Sequence, residues 1–126
     1  MPEIPRVLIA DDDALLRSLI EFKLSARGYQ VIPAADGHEA LRLIENERPD
    51  LIILDSMMPG MDGFAVLQSI KSKPELASIP VVMLTARKQE SDIVGALQQG
   101  ASDYVTKPFI PEELAMRVAR LIPTRQ

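Results

Sequence analysis

Leu51-Ile52-Ile53-Leu54-Asp55 is a run of four branched apolar residues that stops on a carboxylate. Unbroken hydrophobicity over so short a stretch suits a strand buried on both faces. Three other runs have the same form. Val7-Leu8-Ile9-Ala10 leads into Asp11-Asp12-Asp13, Val81-Val82-Met83-Leu84 into Thr85, and Tyr104-Val105-Thr106 into Lys107-Pro108. In a parallel sheet the strands point one way, so their C-terminal ends gather at one edge, where open α/β sheets bind ligands. Carboxylates, a hydroxyl and an ammonium dispersed along the chain are thereby expected to meet.

Around these runs the chain alternates. Strands are expected at 7–10, 29–32, 51–54, 79–84 and 103–105. Between them Leu16, Ile20 and Leu24 recur at steps of four, and Leu114, Val118 and Leu121 at steps of four and three, both helical spacings. Asp36 with Glu39 reads as a capping box, Asp13 and Asp62 as N-caps, and Pro111 as a first-turn proline. Gly28 and Gly100 fall where helices end, and Arg48-Pro49 closes another. Five strand–helix alternations argue for an α/β, doubly wound parallel sheet with right-handed connections. The expected architecture is a flavodoxin-like (βα)5 fold with strand order 2-1-3-4-5, which sets strands one and three side by side.

The 126 residues suit a single domain spanning the whole chain, with 122–126 an end or the start of a linker. A chain of this size buries about two-thirds of its unfolded surface and needs no staple. It has no cysteine, which excludes disulfide and thiolate chemistry. No apolar stretch approaches the roughly 18 residues of a membrane span, and the N-terminus has no signal-peptide core. The expectation is a cytoplasmic domain without a membrane partner. The net charge of −4, with Lys and Arg scattered, argues against nucleic acid as a direct ligand.

An Asp after a strand is usually a turn residue or a cap. Asp11 and Asp12 resist that reading because strand order places them beside Asp55. Two unit charges about 5 Å apart repel by about 3 kcal/mol at an effective dielectric of about 20. Three carboxylates together call for a cation, and Mg²⁺ suits a site with few carboxylates and room for waters and a phosphate oxygen. Lys107, its direction restrained by Pro108, supplies a second positive charge. Thr85 can donate to an anion in the same place. Such a cage is what phosphoryl transfer needs.

With Asp50-Leu51-Ile52-Ile53-Leu54-Asp55-Ser56-Met57-Met58-Pro59-Gly60-Met61-Asp62-Gly63, Asp11-Asp12, Thr85-Ala86 and Lys107-Pro108-Phe109 in order, the chain resembles the receiver domain of two-component response regulators along essentially its whole length. The resemblance implies that Asp55 accepts a phosphoryl group from a sensor histidine kinase or a histidine phosphotransfer protein. It also implies Mg²⁺ held by Asp12, Asp55 and the backbone carbonyl of Met57, with Asp11 acting through water. Lys107 would pair with the phosphoryl group, Thr85 would swing toward it, and Tyr104 would move inward. A cis Lys107–Pro108 bond is expected, and such a domain is a signalling switch that catalyses only its own phosphorylation and dephosphorylation.

Several positions are particular to this chain. Met57 and Arg87 flank the phosphoryl site, and an apolar thioether cannot orient an attacking water, so a long-lived acyl phosphate is expected. The output is expected on the face of the fourth helix, fifth strand and fifth helix, with Asp103, Lys107, Pro108, Phe109 and Arg117 as its residues. That face is a route to a homodimer, but the helix around Ile93-Val94-Gly95-Ala96 lacks basic residues, leaving Asp103 and Arg117 as the one ion pair for it. His38 is read as solvated, and Met57, Met58 and Met61 as loop packing. The competing class is a Mg²⁺-dependent phosphohydrolase of haloacid dehalogenase type, for which Asp11-Asp12-Asp13 supplies an Asp-x-Asp motif. A flavodoxin is disfavoured because three aspartates would repel the FMN phosphate. A receiver that no longer takes phosphate is disfavoured by the intact set Asp11, Asp12, Asp55, Thr85 and Lys107.

Overall fold

The computed structural model describes residues 4–86, 94–95 and 97–123. Five strands form one parallel sheet: β1 Arg6–Ala10, β2 Gln30–Ala34, β3 Leu51–Asp55, β4 Val81–Thr85 and β5 Asp103–Thr106. Their order is β2-β1-β3-β4-β5, the flavodoxin-like order expected from the sequence. Helices α1 Ala14–Ala26, α2 Gly37–Glu47 and α3 Gly63–Lys71 follow the first three strands, and a C-terminal helix, Pro111–Leu121, follows β5. Val94, Gly95, Leu97 and Gln98 are also helical, within the segment where a helix was expected. Ile93, Ala96 and Arg87 lie outside the described residues.

The unbroken apolar strands have the physical consequence their composition implies. Leu8, Ala10, Ile52, Leu54, Val81 and Met83 face α2 and α3, packing with Ala40, Ile44, Val66, Leu67 and Ile70. Val7, Ile9, Leu51, Ile53, Val82, Leu84 and Val105 face the other way, onto Ile20, Leu24, Leu114, Ala115 and Val118. Each fully buried Leu or Ile contributes about 1.5–3 kcal/mol, so two stacked layers hold the sheet without a staple.

Local signals set the element ends. Asp13, Asp36 and Asp62 each accept backbone N–H bonds as N-caps of α1, α2 and α3. Glu39 reaches back to the Ala35 N–H at 2.7 Å, completing a capping-box arrangement one residue earlier than the usual form. Gly28 and Gly100 adopt left-handed φ of 97° and 106°. α2 ends instead on Arg48, a non-glycine residue at φ 48°. The second strand starts and ends later than its apolar run suggested, continuing through Pro33 to Ala34. Being at the sheet edge, it tolerates a residue with no N–H to donate. The fourth begins at Val81, with the Pro80 carbonyl accepting from the Ile52 N–H.

Candidate functional site

Strand register builds the site before any side chain is considered. Ala10 pairs with Leu54, so Asp11 stands level with Asp55 in the neighbouring strand. Asp55 pairs with Leu84, one step before Thr85, and Thr85 pairs with Thr106, one step before Lys107. Four strand ends thus deliver four of the candidate residues, Asp11, Asp55, Thr85 and Lys107, to one edge. Ligand oxygens of Asp11, Asp12 and Asp55 all lie within 4.8 Å of one another. The Lys107 ammonium stands 3.1 Å from Asp55 Oδ2 and 3.4 Å from Asp11 Oδ2. Asp11 is fully buried and Asp55 is 5% exposed, while Asp12 opens to solvent.

The electrostatics follow from this crowding. Burial, and then the negative charge of Asp11, push the Asp55 carboxyl up to about 6, against the opposing pull of Lys107 and the Met57 N–H. Burial alone would push the Lys107 ammonium down, but Asp11 and then Asp55 outweigh it and hold the group above the ordinary lysine range. One lysine shared by two buried carboxylates neutralises neither completely. The donor set consists of hard carboxylate oxygens converging beside an open cleft of about 530 Å³ that Asp12 lines. That is the chemistry a small divalent ion with several retained waters requires, and the residues fit Mg²⁺.

Neighbouring groups hold the cluster in place. Asp11 Oδ1 accepts the Asp13 N–H at 2.9 Å, and Asp55 Oδ1 accepts the Met57 N–H at 3.3 Å. Asp13 is committed elsewhere: its Oδ1 accepts from both Leu15 and Leu16, so the third aspartate of the Asp-x-Asp pattern is a helix cap. Thr85 is fully buried, and its carbonyl accepts the Lys107 N–H at 2.7 Å, next to a cis Lys107–Pro108 peptide. Tyr104 is half-buried against the α2–α3 side of the core.

Three supporting residues carry no role in the sequence reading. Arg17 donates from Nη1 to the Asp11 carbonyl at 2.7 Å, bracing the loop after β1. Gly63 lets α3 start against β3, since a Cβ there would stand 2.2 Å from the Asp55 carbonyl oxygen. A glycine in the first turn of a helix, where most residues cost less, is the signal that could have found it. Ser56, directly after Asp55, is 1% exposed.

The remaining sequence candidates divide. Met57 is 63% exposed, whereas Met58 is 7% exposed and Met61 packs against the core, so loop packing describes only the latter two. His38 is exposed, over Gly60. Of the residues assigned to the output face, Lys107 is engaged with Asp55 and Asp11, and Phe109 packs against the α1 side of the core. Pro108 is exposed. Arg117 bonds Asp103 at 2.9 Å within the same chain, with Glu113 as a second partner at 3.4 Å.

Comparison with known proteins agrees with this geometry. The family described as "Response regulator receiver domain" matches residues 7–119. A probable transcriptional regulator, ycf27, of Porphyridium aerugineum is 43% identical over 93% of this chain and 48% of its own length. The chain therefore spans about half the length of the curated relatives it matches. Among solved structures, the receiver domain of the Francisella response regulator 1452 superposes with a TM-score of 0.88 at 38% identity, covering 93% of this chain and 95% of that one. Chemotaxis protein CheY4 of Vibrio cholerae superposes with a TM-score of 0.89 at 32% identity, covering 95% of this chain and all of that one.

Proposed function

The chain belongs to the response regulator receiver domain family of two-component systems, and from that premise we propose that it accepts a phosphoryl group on Asp55 from the phosphohistidine of a sensor kinase or a histidine phosphotransfer protein. The observation that carries the proposal is the shared ion pair, one Lys107 ammonium between Asp55 and Asp11, with three carboxylates converging beside it. An Asp55 oxygen attacks phosphorus in line, the P–N bond breaks, and the imidazole leaves with a proton from solvent. Asp12, Asp55 and the Met57 carbonyl, with Asp11 acting through water, would hold Mg²⁺, which would supply charge neutralisation for the phosphoryl oxygens.

The rest is done by the protein. With a pKa of about 6, Asp55 is about nine-tenths ionised at pH 7 and is available as a nucleophile. Phosphorylation adds about −1 net charge at an edge already short of cations. Lys107 turns from carboxylate to phosphoryl oxygen, and Thr85 reports the new anion to the segment after β4. Tyr104, half-buried beside the core, follows inward. Two pre-existing conformations separated by a few kcal/mol suffice for such a switch. The output face comprises the helical residues Val94, Gly95, Leu97 and Gln98, β5 and the C-terminal helix. The transcriptional regulators among the relatives support control of transcription as the class of output. The domain catalyses only its own phosphorylation and dephosphorylation.

Incubation with Mg²⁺ and acetyl phosphate, followed by intact mass, tests the reading. One added phosphoryl group is expected, absent in Asp55→Asn and blocked by EDTA. A folded protein that gains nothing refutes it.

A further inference from the structure

Gly37 occupies the first position of α2, directly after the capping Asp36, and is buried. Glycine is a costly choice in a helix, because its backbone loses more freedom on ordering than that of any other residue. Its φ is not left-handed, unlike those of Gly28, Gly60 and Gly100, so backbone conformation does not call for it. Space does. A Cβ at position 37 would stand 2.0 Å from the Met61 carbonyl oxygen and 2.9 Å from its carbon. The first turn of α2 is therefore pressed against the backbone of the loop between β3 and α3. His38 continues the contact, with its ring 3.6 Å from where a Cβ on Gly60 would project.

Little else shapes that loop. Its ends are fixed, by the Gly63 N–H on the Ser56 carbonyl at 3.2 Å and by Asp62 as the cap of α3. Among the described residues, no hydrogen bond holds Met58, Pro59, Gly60 or Met61. Packing does it instead: Met58 is buried, Met61 lies against the core, and the Met61 carbonyl rests on Gly37. The same loop reaches the carboxylate read as the phosphoacceptor. The Met57 N–H donates to Asp55 Oδ1 at 3.3 Å, longer than most such bonds. Met57, Met58, Pro59 and Gly60 also wall the cleft that Asp12 lines. A displacement at Met61 is thus passed along a stretch without cross-links to the Met57 N–H.

We propose that Gly37 is a positioning residue for phosphoryl transfer: by having no side chain it lets α2 seat the loop after β3, which aims the Met57 N–H at Asp55 and sets the cleft wall beside it. This rests on the reading of Asp55 as phosphoacceptor and extends it to a residue on another element that touches neither Asp55 nor the transferring group. Misplacing a reacting group by about 1 Å costs up to about 100-fold in rate. A glycine with only a packing role would behave differently, because its substitution would lower stability and leave the rate of the folded molecules unchanged.

Gly37→Ala, His38→Ala and Gly100→Ala are compared with wild type in trimethylamine N-oxide, which favours the compact state. Gly100→Ala is the control: it is strained at φ 106° and crowds the Lys71 stem, but it lies before β5, at the edge where the strands begin. The rate of phosphorylation by acetyl phosphate at saturating Mg²⁺ is read per folded molecule, with circular dichroism giving the folded fraction. The expected rate is about 10- to 100-fold lower in Gly37→Ala. It falls less in His38→Ala, whose ring is exposed, and is unchanged in Gly100→Ala despite a lower Tm. Without Mg²⁺ or donor, the Met57 amide proton resonance moves upfield in Gly37→Ala and stays in place in Gly100→Ala. A wild-type rate in folded Gly37→Ala overturns the inference and leaves the phosphoacceptor reading standing, and so does equal slowing by Gly100→Ala. Should Gly37→Ala stay unfolded, a wild-type rate in His38→Ala overturns it. A wild type that gains no phosphoryl group overturns both.

Discussion

The two edges of the sheet treat charge in opposite ways. At the edge where the strands begin, Arg6 donates its N–H to Asp50 Oδ2 at 2.8 Å and its guanidinium to the Glu47 carbonyl and carboxylate. These groups are exposed, and each is matched locally. At the edge where the strands end, Asp11 and Asp55 are buried and share one lysine, with Asp12 close by. Exposed pairs of the first kind contribute about 0–1 kcal/mol. Buried like charges of the second kind cost stability until something positive joins them. The first edge is built to be stable. The second leaves two buried carboxylates on one ammonium, and the Asp55 carboxyl is pushed up to about 6 as a result.

Substitutions sharpen that contrast. Lys107→Met removes the ammonium shared by Asp55 and Asp11 and proposed to meet the transferring group, and the phosphorylation rate from acetyl phosphate is expected to fall about 100-fold or more. Arg6→Met at the other edge leaves the rate unchanged. Equal effects at the two positions would erase the distinction.

Gly63→Ala drives a methyl into the Asp55 carbonyl, which is backbone and cannot step aside cheaply. Denaturant unfolding should report a loss of about 2–3 kcal/mol, the upper range for overpacking. A loss below about 0.5 kcal/mol would mean that α3 is not seated against the end of β3 as described.

Asp55→Asn tests the stored repulsion directly. The Asp55 carboxyl binds its proton more tightly in the folded chain, with a pKa of about 6 against an ordinary 3.8. The unfolded state therefore releases that proton first as pH rises, and stability falls from about pH 4 to pH 6 and stays lowered above it. Without Mg²⁺, the Asn variant should be more stable than wild type by about 1–2 kcal/mol at pH 7.5, of the order that the net shift, Lys107's opposing pull included, implies. The advantage should vanish near pH 4. Glu47→Gln, at the opposite edge, should move stability by no more than about 0.5 kcal/mol at either pH.

The smallest effect concerns phosphoryl lifetime. Met57 is exposed at the mouth of the site and has no group to orient water. In Met57→Asn an added hydrogen bond worth about 1 kcal/mol should speed hydrolysis about fivefold. An unchanged rate removes the thioether from any account of lifetime.

The strand order was legible because unbroken apolar runs can only be buried on both faces, and each run stopped on a polar residue that names its end. Once β1 and β3 are neighbours, Asp11 and Asp55 have to meet, and the register shows them level. Boundaries were less legible where edge position overrides local pattern. Pro33 reads as a break, yet an edge strand absorbs it. Supporting residues were the least legible. Arg17 acts through a backbone carbonyl six residues away, a property with no sequence signature. The charges of Asp103 and Arg117 were legible as a pair, and within the single chain they bond each other at 2.9 Å.

The central claim is that one carboxylate of three carries the covalent chemistry. Borohydride reduction after incubation with Mg²⁺ and acetyl phosphate converts an acyl phosphate to an alcohol, and peptide sequencing by mass then locates it. The account predicts homoserine at position 55 alone, and only when Mg²⁺ and the phosphoryl donor are both present. Homoserine at position 11 or 12, or at none of the three with the protein folded, would contradict it.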